Sequence, residues 1–294
     1  MDLDLRKLRY FLAVAEDLSF TRAAQRLHIT QPVLSRQIRA LETQLRVQLF
    51  VRDSTGTSLT PAGHLLLAEG STLASGAEGL VTRLERIAAG TNIFTVGFMP
   101  GLTVTAPVRA LAASHPDVEV LVLRTTWLDQ VDVLHDGRVD VGYVRMPIDT
   151  VGLHTEYLFS EPRLAAVPLG HRLADRDAVR LAELGGENML QHPSGIPEWQ
   201  GILADRTEEA PDLTGMEFYS VEEKLEAVAA GRGISVLPES TARYYNRPDI
   251  AYLPITDIPD NEVRLAWAAN RRSPLIAQFA ELARTSNVSD NDSQ

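Results

Sequence analysis

A chain of 294 residues, 45% hydrophobic and 23% charged, is long enough for two or three units that each bury a core. No stretch approaches the roughly 20 uninterrupted apolar residues of a membrane helix, and the start MDLDLRKLRY lacks a secretory signal pattern, which predicts a cytoplasmic protein with no membrane partner. The absence of cysteine excludes disulfides, thiolate zinc sites, cysteine nucleophiles and thiol-based redox sensing.

The net charge of -11 is unevenly divided: residues 1–60 hold nine Lys or Arg against six Asp or Glu, and the remainder holds 19 against 33. A basic head on an acidic body approaches DNA phosphates in one orientation, while the charge of the body limits nonspecific adhesion.

Leu5, Leu8, Leu12 and Ala15, with Phe11 alongside, share one face at helical spacing and predict a first helix. Ser19 caps a second, from about Phe20 to Leu27, whose Ala23 and Ala24 are small enough for another helix to come close. His28-Ile29-Thr30 reads as a tight turn with Thr30 capping a third helix; Pro32 is tolerated there because first-turn amides have no intrahelical partner. Leu34, Ile38, Leu41 and Leu45 form the buried stripe of that helix, leaving Gln31, Pro32, Ser35, Arg36 and Arg39 facing outward. Leu49 to Leu59, with β-prone ends around Ser, Thr and Gly, predicts a two-stranded wing.

Thr60-Pro61 starts a long helix that should run to about Ala88. Leu66, Leu73, Ala77, Leu80, Leu84 and Ile87 fall at heptad spacing, a seam that wants a partner helix. Gly70, Gly76 and Gly79 each cost about 1 kcal/mol against Ala in a helix interior, so this helix depends on packing. From Phe94 onward, strand-like runs (FTVGF, VEVLVL, VDVGYV, later RLAAVP, GISVLP and VRLAWAA) alternate with helical stretches, which predicts parallel sheets with helices on both faces. About 200 residues suffice for two α/β lobes. The polar tail from Thr285 to Gln294 is expected to be disordered.

Gln31, Ser35, Arg36 and Arg39 are the residue types that read base edges and grip phosphates, since Arg pairs bidentately with guanine and Gln with adenine. A solvated helix face would look similar; the adjacent wing and the local positive charge favour DNA. Arg145 follows the apolar strand VDVGYV, placing it at a strand's C-terminal end, where open α/β sheets bind ligands. A salt bridge to an acidic neighbour would account for it equally well. Trp127 and Trp199 could stack on a ligand ring, although tryptophans more often fill cores. Gly97 and Gly101 flank Phe98, Met99 and Pro100 between a strand and a helix whose first amides could hold an anion. The seven histidines lack metal spacing, and no Ser-centred elbow or Walker loop is present, so no catalytic residue, metal or cofactor is predicted.

LRKLRYFLAVAEDLSFTRAAQRLHITQPVLSRQIRALETQLRVQLFVR, followed by LTPAG, resembles the N-terminal signature of LysR-type transcriptional regulators over residues 3–63. The resemblance implies an α/β protein with a winged helix-turn-helix at 1–60 and a dimerising linker helix at 61–90. An effector-binding domain at 91–294 would follow, built of two Rossmann-like lobes of periplasmic-binding-protein type (lobe I about 91–161 and 267–285, lobe II about 162–266). It carries DNA contacts over to Thr21, Arg22, Thr30, Gln31, Pro32, Ser35, Arg36 and, in the wing, Arg52. Many members have a second wing arginine where this chain has Thr55 and Gly56, so the resemblance supplies no phosphate contact there. GYVRMP, with Gln130 and Gly137 upstream, is similar to the subgroup controlling aromatic catabolism. That likeness lines an inter-lobe cleft with Met99, Pro100, Gly101, Trp127, Arg145, Glu198 and Trp199. Trp127 replaces a common threonine and Met99 a common serine, which implies a narrower, more apolar pocket. Glu198 would either pair with Arg145 or select a ligand carrying a donor group. The implied partners are double-stranded DNA, a small-molecule effector such as an organic acid, a second copy of the chain in a homodimer or homotetramer, and RNA polymerase. A small-molecule enzyme or solute-binding protein with an accessory helical domain is the rival reading, and an architectural DNA protein without a ligand is a third.

Overall fold

The computed structural model describes residues 3–53, 56–88, 90–191, 195–204 and 220–291, with the side chains at 52–53, 56, 83, 86–87, 203–204 and 287–291 outside that description. The chain forms two compact units, residues 1–85 with 135–137, and residues 86–134 with 138–294.

In the first unit, α1 (Leu5–Asp17) is capped by Asp4, whose carboxylate accepts from the amides of Arg6 and Lys7. Ser19 caps α2 (Phe20–Arg26) and Thr30 precedes α3 (Gln31–Leu45); Thr30 caps through its backbone carbonyl, which accepts from Val33 and Leu34, and not through its hydroxyl. The antiparallel wing, β1 (Phe50–Asp53) and β2 (Gly56–Leu59), is tied to α3 by the Glu42 carboxylate, which accepts from the amides of Leu49 and Phe50 at 2.9 and 3.3 Å. Phe50 enters the three-helix core, its ring 5.3 Å from Phe11 and 5.5 Å from Phe20. α4 (Pro61–Ala88) follows, and the Thr60 hydroxyl accepts from the Gly63 amide. Gly70 lets α4 lie on α1: a Cβ there would stand 2.8 Å from Leu8 Cδ1.

The second unit has two lobes. In chain order its elements are β3 (Ile93–Phe98), α5 (Thr105–Ser114), β4 (Glu119–Arg124), α6 (Asp132–His135), β5 (Val141–Arg145), β6 (Leu153–Glu161), β7 (Arg163–Pro168), α7 (Trp199–Ala204), α8 (Val221–Ala229), β8 (Ser235–Pro238), α9 (Glu239–Tyr244), β9 (Ile250–Pro254), β10 (Asn261–Ala268) and α10 (Pro274–Asn291). Lobe I holds a five-stranded sheet in the order β4-β3-β5-β10-β6; β3 is parallel to β4 and β5, whereas β10 is antiparallel to both of its neighbours. Its core gathers Phe94, Val96, Leu111, Tyr143 and Leu265 around Phe279 of α10. Lobe II holds the sheet β8-β7-β9, antiparallel throughout, with Leu184, Ile196, Trp199 and Ile234 in one buried cluster and Leu190, Leu225, Val228 and Leu237 in another.

Three expectations are corrected here. Of the expected parallel sheets, the lobe I sheet is parallel only among β4, β3 and β5, and the lobe II sheet pairs its strands antiparallel. The chain returns to lobe I earlier than residue 267: β10, expected in lobe II, pairs with β5 from Val263 to Ala266 and with β6 along its whole length, and Asn261, Val263, Leu265, Ala266 and Ala268 of it are buried. The tail does not begin at Thr285 either, because α10 continues to Asn291.

Lys224 of α8 is half-buried, and burial lowers its pKa from 10.5 to about 8; among the described residues it has no carboxylate partner. A lysine depressed in the folded state destabilises the fold wherever it must stay protonated, so stability should rise between about pH 8 and the unfolded value near 10.4. Lys224→Met should raise Tm at pH 7 by about 2–4 °C, corresponding to on the order of 1 kcal/mol, and flatten that rise. Thermal scans of both proteins at pH 7, 8, 9 and 10 check this, and parallel Tm profiles refute it.

Candidate functional site

The first site is the α2–turn–α3 face. Ala23 and Ala24, 0% and 3% exposed, let α3 pack closely, and the turn closes through His28 N to Gln25 O (3.1 Å) and Ile29 N to Ala24 O (3.0 Å), with His28 in the left-handed region at φ 54°. This presents Thr21, Arg22, Thr30, Gln31, Pro32, Arg36 and Arg39 to solvent. Ser35, expected outward, is only 8% exposed and accepts from the Gln31 amide at 2.9 Å, so it braces Gln31 from beneath. The cations divide by partner. Arg22 donates to the Asp17 carbonyl and Arg26 to Glu16 and Asp17, whereas Arg36 and Arg39 have no hydrogen-bond or ion-pair partner among the described residues. Two exposed guanidinium groups on one helix face therefore keep all their donors for an external acceptor. The backbone of Arg52 lies in β1; its side chain, and the whole of Thr55, lie outside the described residues.

The second site joins the lobes of the second unit. Arg145 ends the fully buried β5, its backbone held by Gln130, whose Oε1 accepts from the Arg145 amide at 2.9 Å. Its guanidinium is 4% exposed and already engaged: Nη1 donates to Glu161 and, at 3.0 Å, to Asn261, while Nη2 donates to the hydroxyls of Ser240 (2.8 Å) and Thr241 (3.5 Å). Burial lowers the Arg145 pKa and the Glu161 carboxylate opposes that fall, as expected for a buried ion pair. Glu161 also accepts from the Ser240 amide at 2.6 Å, at the start of α9. Thr241 then donates to the Pro100 carbonyl at 2.9 Å. Gly101, at φ +84°, is pressed so closely on α9 that a Cβ would stand 2.6 Å from the Thr241 backbone. One network thus runs from the end of β5 through the end of β6 to α9 and back to the loop after β3.

These positions revise the cleft read from sequence. Pro100, Gly101 and Arg145 do converge, through Thr241. Arg145, however, faces protein acceptors, and the pair with Glu198 does not form: Glu198 takes a bidentate bond from Arg163 (3.1 and 2.7 Å), whose Nε donates to Pro259 O. Burial opposes ionisation of Glu198, but the Arg163 bonds outweigh it and hold the carboxyl below its usual range. Met99 lies in the lobe I core and Trp199, 3% exposed, in the lobe II core, both filling space as large apolar side chains do. Trp127 stays half-buried, packed on the lobe I core, and its indole lies 3.8 Å from where a Cβ on Gly195 of lobe II would stand. Glu161, Asn261, Ser240 and Thr241 were missed from sequence. The available signal was a charge ending an apolar strand in FSEP, and a Ser-Thr pair after a proline in LPEST.

Among the described residues no helix is long and apolar enough to cross a membrane, and no group of three His, Cys, Asp or Glu could hold a metal. Residues 5–64 match the family model "Bacterial regulatory helix-turn-helix protein, lysR family", and residues 92–287 match "LysR substrate binding domain", both regulatory rather than catalytic. The Hca operon transcriptional activator HcaR of Escherichia coli (strain K12) is 30% identical over 295 residues, covering 96% of this chain and 97% of HcaR. The transcriptional regulator BenM of Acinetobacter baylyi is 33% identical over 270 residues, covering 88% and 87%. The crystal structure of full-length BenM matches with a TM-score of 0.55 at 30% identity and 98% of each chain. Full-length CbnR complexed with its target DNA matches with a TM-score of 0.50 at 27% identity, over 97% of this chain and all of CbnR. The chain belongs to the LysR family of bacterial transcriptional regulators, with a DNA-binding head and a small-molecule effector-binding domain.

Proposed function

We propose that this regulator works in the cytosol, reads duplex DNA with Gln31, Arg36 and Arg39 of α3, and uses Thr21, Arg22, Thr30, Pro32 and the wing's Arg52 to hold the backbone. Residues 1–60 act as the head, α4 pairs the heads, and the lobes after residue 90 sense the effector. The observation that carries this reading is the pair of solvent-facing guanidinium groups on α3 that have no partner among the described residues, next to a wing and on a head whose net charge opposes that of the body. The effector is a small organic acid bound between the lobes at the ends of β3 and β5. What supports an anion there is the start of α5, whose Val104 N-cap makes no side-chain hydrogen bond and leaves first-turn amides open. Trp127 gives the apolar wall, and Arg145 acts through the lobe-joining network. Binding shifts promoter affinity by favouring one arrangement of the lobes.

Footprinting on DNA adjoining the regulator's own gene, with and without aromatic and aliphatic acids, tests the reading. Arg36→Ala should lose roughly 1–3 kcal/mol on the specific site, the discrimination of one bidentate base contact. Unchanged specific affinity would remove Arg36 from the readout, and turnover of a bound acid would replace regulation by catalysis.

A further inference from the structure

Resting on the reading that the effector binds between the lobes, we propose that Arg124 of lobe I and Glu222 of lobe II form an ionic clasp that an effector must part to enter. The clasp closes the side of the inter-lobe space opposite the segments that join the lobes. Arg124 ends β4 and Glu222 lies in the first turn of α8; Nη2 of the arginine donates to Oε2 of the glutamate at 3.4 Å.

The chain passes between the lobes at two places, from β6 to β7 just after Glu161 and from β9 to β10 just before Asn261. β6 and β10 are neighbours at one edge of the lobe I sheet, and the Arg145 network, which includes Glu161 and Asn261, holds that joined side. β4 is the opposite edge, three strand spacings from β10 and so about 14 Å across the sheet. A bond at the far edge acts on the longer lever arm when one lobe rotates against the other.

Glu222 is prepared for this contact. Its own backbone amide does most to hold the carboxyl below its usual range; burial opposes that fall, and the charge of Arg124 with the hydroxyls of Tyr245 and Ser220 adds to it. A carboxylate already fixed in place loses little further freedom on meeting the guanidinium. Tyr245 follows α9, whose first residues Ser240 and Thr241 belong to the Arg145 network, so one short helix touches both the joined side and the clasp. Arg124 has no other partner among the described residues. The two side chains are 43% and 55% exposed, so the pair parts into water and leaves no charge buried. Arg145 and Glu161, at 4% and 8%, have no such freedom and serve as a fixed joint.

The chain's three tryptophans allow a test that needs no effector, so its failure would leave the reading of the ligand site standing. Trp127 of lobe I faces Gly195 of lobe II and reports on lobe separation, while Trp199 and Trp267 report on each lobe by itself. Full-length protein labelled with 5-fluorotryptophan should give three fluorine resonances, assigned by Trp127→Phe, Trp199→Phe and Trp267→Phe. Raising NaCl from about 0.05 to about 0.5 M shortens the screening length from about 14 to about 4 Å and should move the Trp127 resonance alone. Glu222→Gln, placed in the other lobe from Trp127, should give the high-salt position at low salt and abolish the salt response. The closed population should fall by up to about fivefold, the range of one exposed ion pair. Arg124→Glu should do the same, and Arg124→Glu combined with Glu222→Arg should return Trp127 towards its wild-type position. A Trp127 resonance that Glu222→Gln leaves in place at low salt, or that the double reversal does not restore, overturns the proposal.

Discussion

Glu161→Ala should destabilise the effector-binding unit by about 3–5 kcal/mol, the cost of leaving one member of a buried ion pair uncompensated. Arg145 would keep Asn261, Ser240 and Thr241 as partners but lose its only carboxylate in the network, and the Ser240 amide would lose its acceptor. Glu161→Gln retains an acceptor oxygen and should lose less. Replacing both charges, Arg145→Met with Glu161→Leu, should recover much of the loss, because an apolar pair avoids the desolvation of two ions. Urea unfolding followed by tryptophan fluorescence is selective for this unit, since Trp127, Trp199 and Trp267 all lie within it. A loss below about 1 kcal/mol for Glu161→Ala would mean that water replaces the carboxylate at no cost and that the network does not hold the lobes.

Leu80→Glu combined with Leu84→Glu should convert the protein to monomers and lower operator affinity by roughly 100-fold or more, because two linked heads gain that much over one. On α4, Leu73, Leu80 and Leu84 are 55%, 52% and 55% exposed, an apolar stripe that water does not tolerate without a partner. Leu66 differs: it packs into the core of the head, so the seam begins beyond it, and the side chain of Ile87 lies outside the described residues. Light scattering at micromolar concentration reads the assembly and a gel shift reads the affinity. An intact oligomer in the double variant would refute the seam.

The head was legible because its signals are local. Ser19 and Thr30 mark helix starts, Ala23 and Ala24 mark a close crossing, and Thr60-Pro61 marks the entry to α4, each fixed by a few neighbouring residues. Ser35 escaped because helical spacing gives direction only to within a residue, and the bond from Gln31 settles which way the hydroxyl turns. In the second unit the strands were visible as apolar runs, but their neighbours were not. β10 joins lobe I although more than 100 residues separate it from β5, and alternation alone does not say which sheet a strand completes. The partners of Arg145 come from three further segments, around Glu161, Ser240 and Asn261. A charge at a strand end therefore announced a partner without naming it. The cation that meets Glu198 was hidden for the same reason: the fold brings Arg163 to it, and the pair with Arg145 does not form.

Gly101 turns a local contact into a mechanical one. The atoms nearest its missing Cβ are the backbone nitrogen and Cα of Thr241, so the obstacle cannot rotate aside as a flexible side chain would. An alanine there should act as a wedge at a fulcrum: the α9 backbone must give way to it, and any tilt of one lobe against the other grows with distance from the pivot. Binding pockets are usually altered by reshaping their walls. In this regulator a methyl group wedged where the lobes meet would reset the resting angle, and with it the fraction of molecules already in the liganded arrangement before any effector arrives.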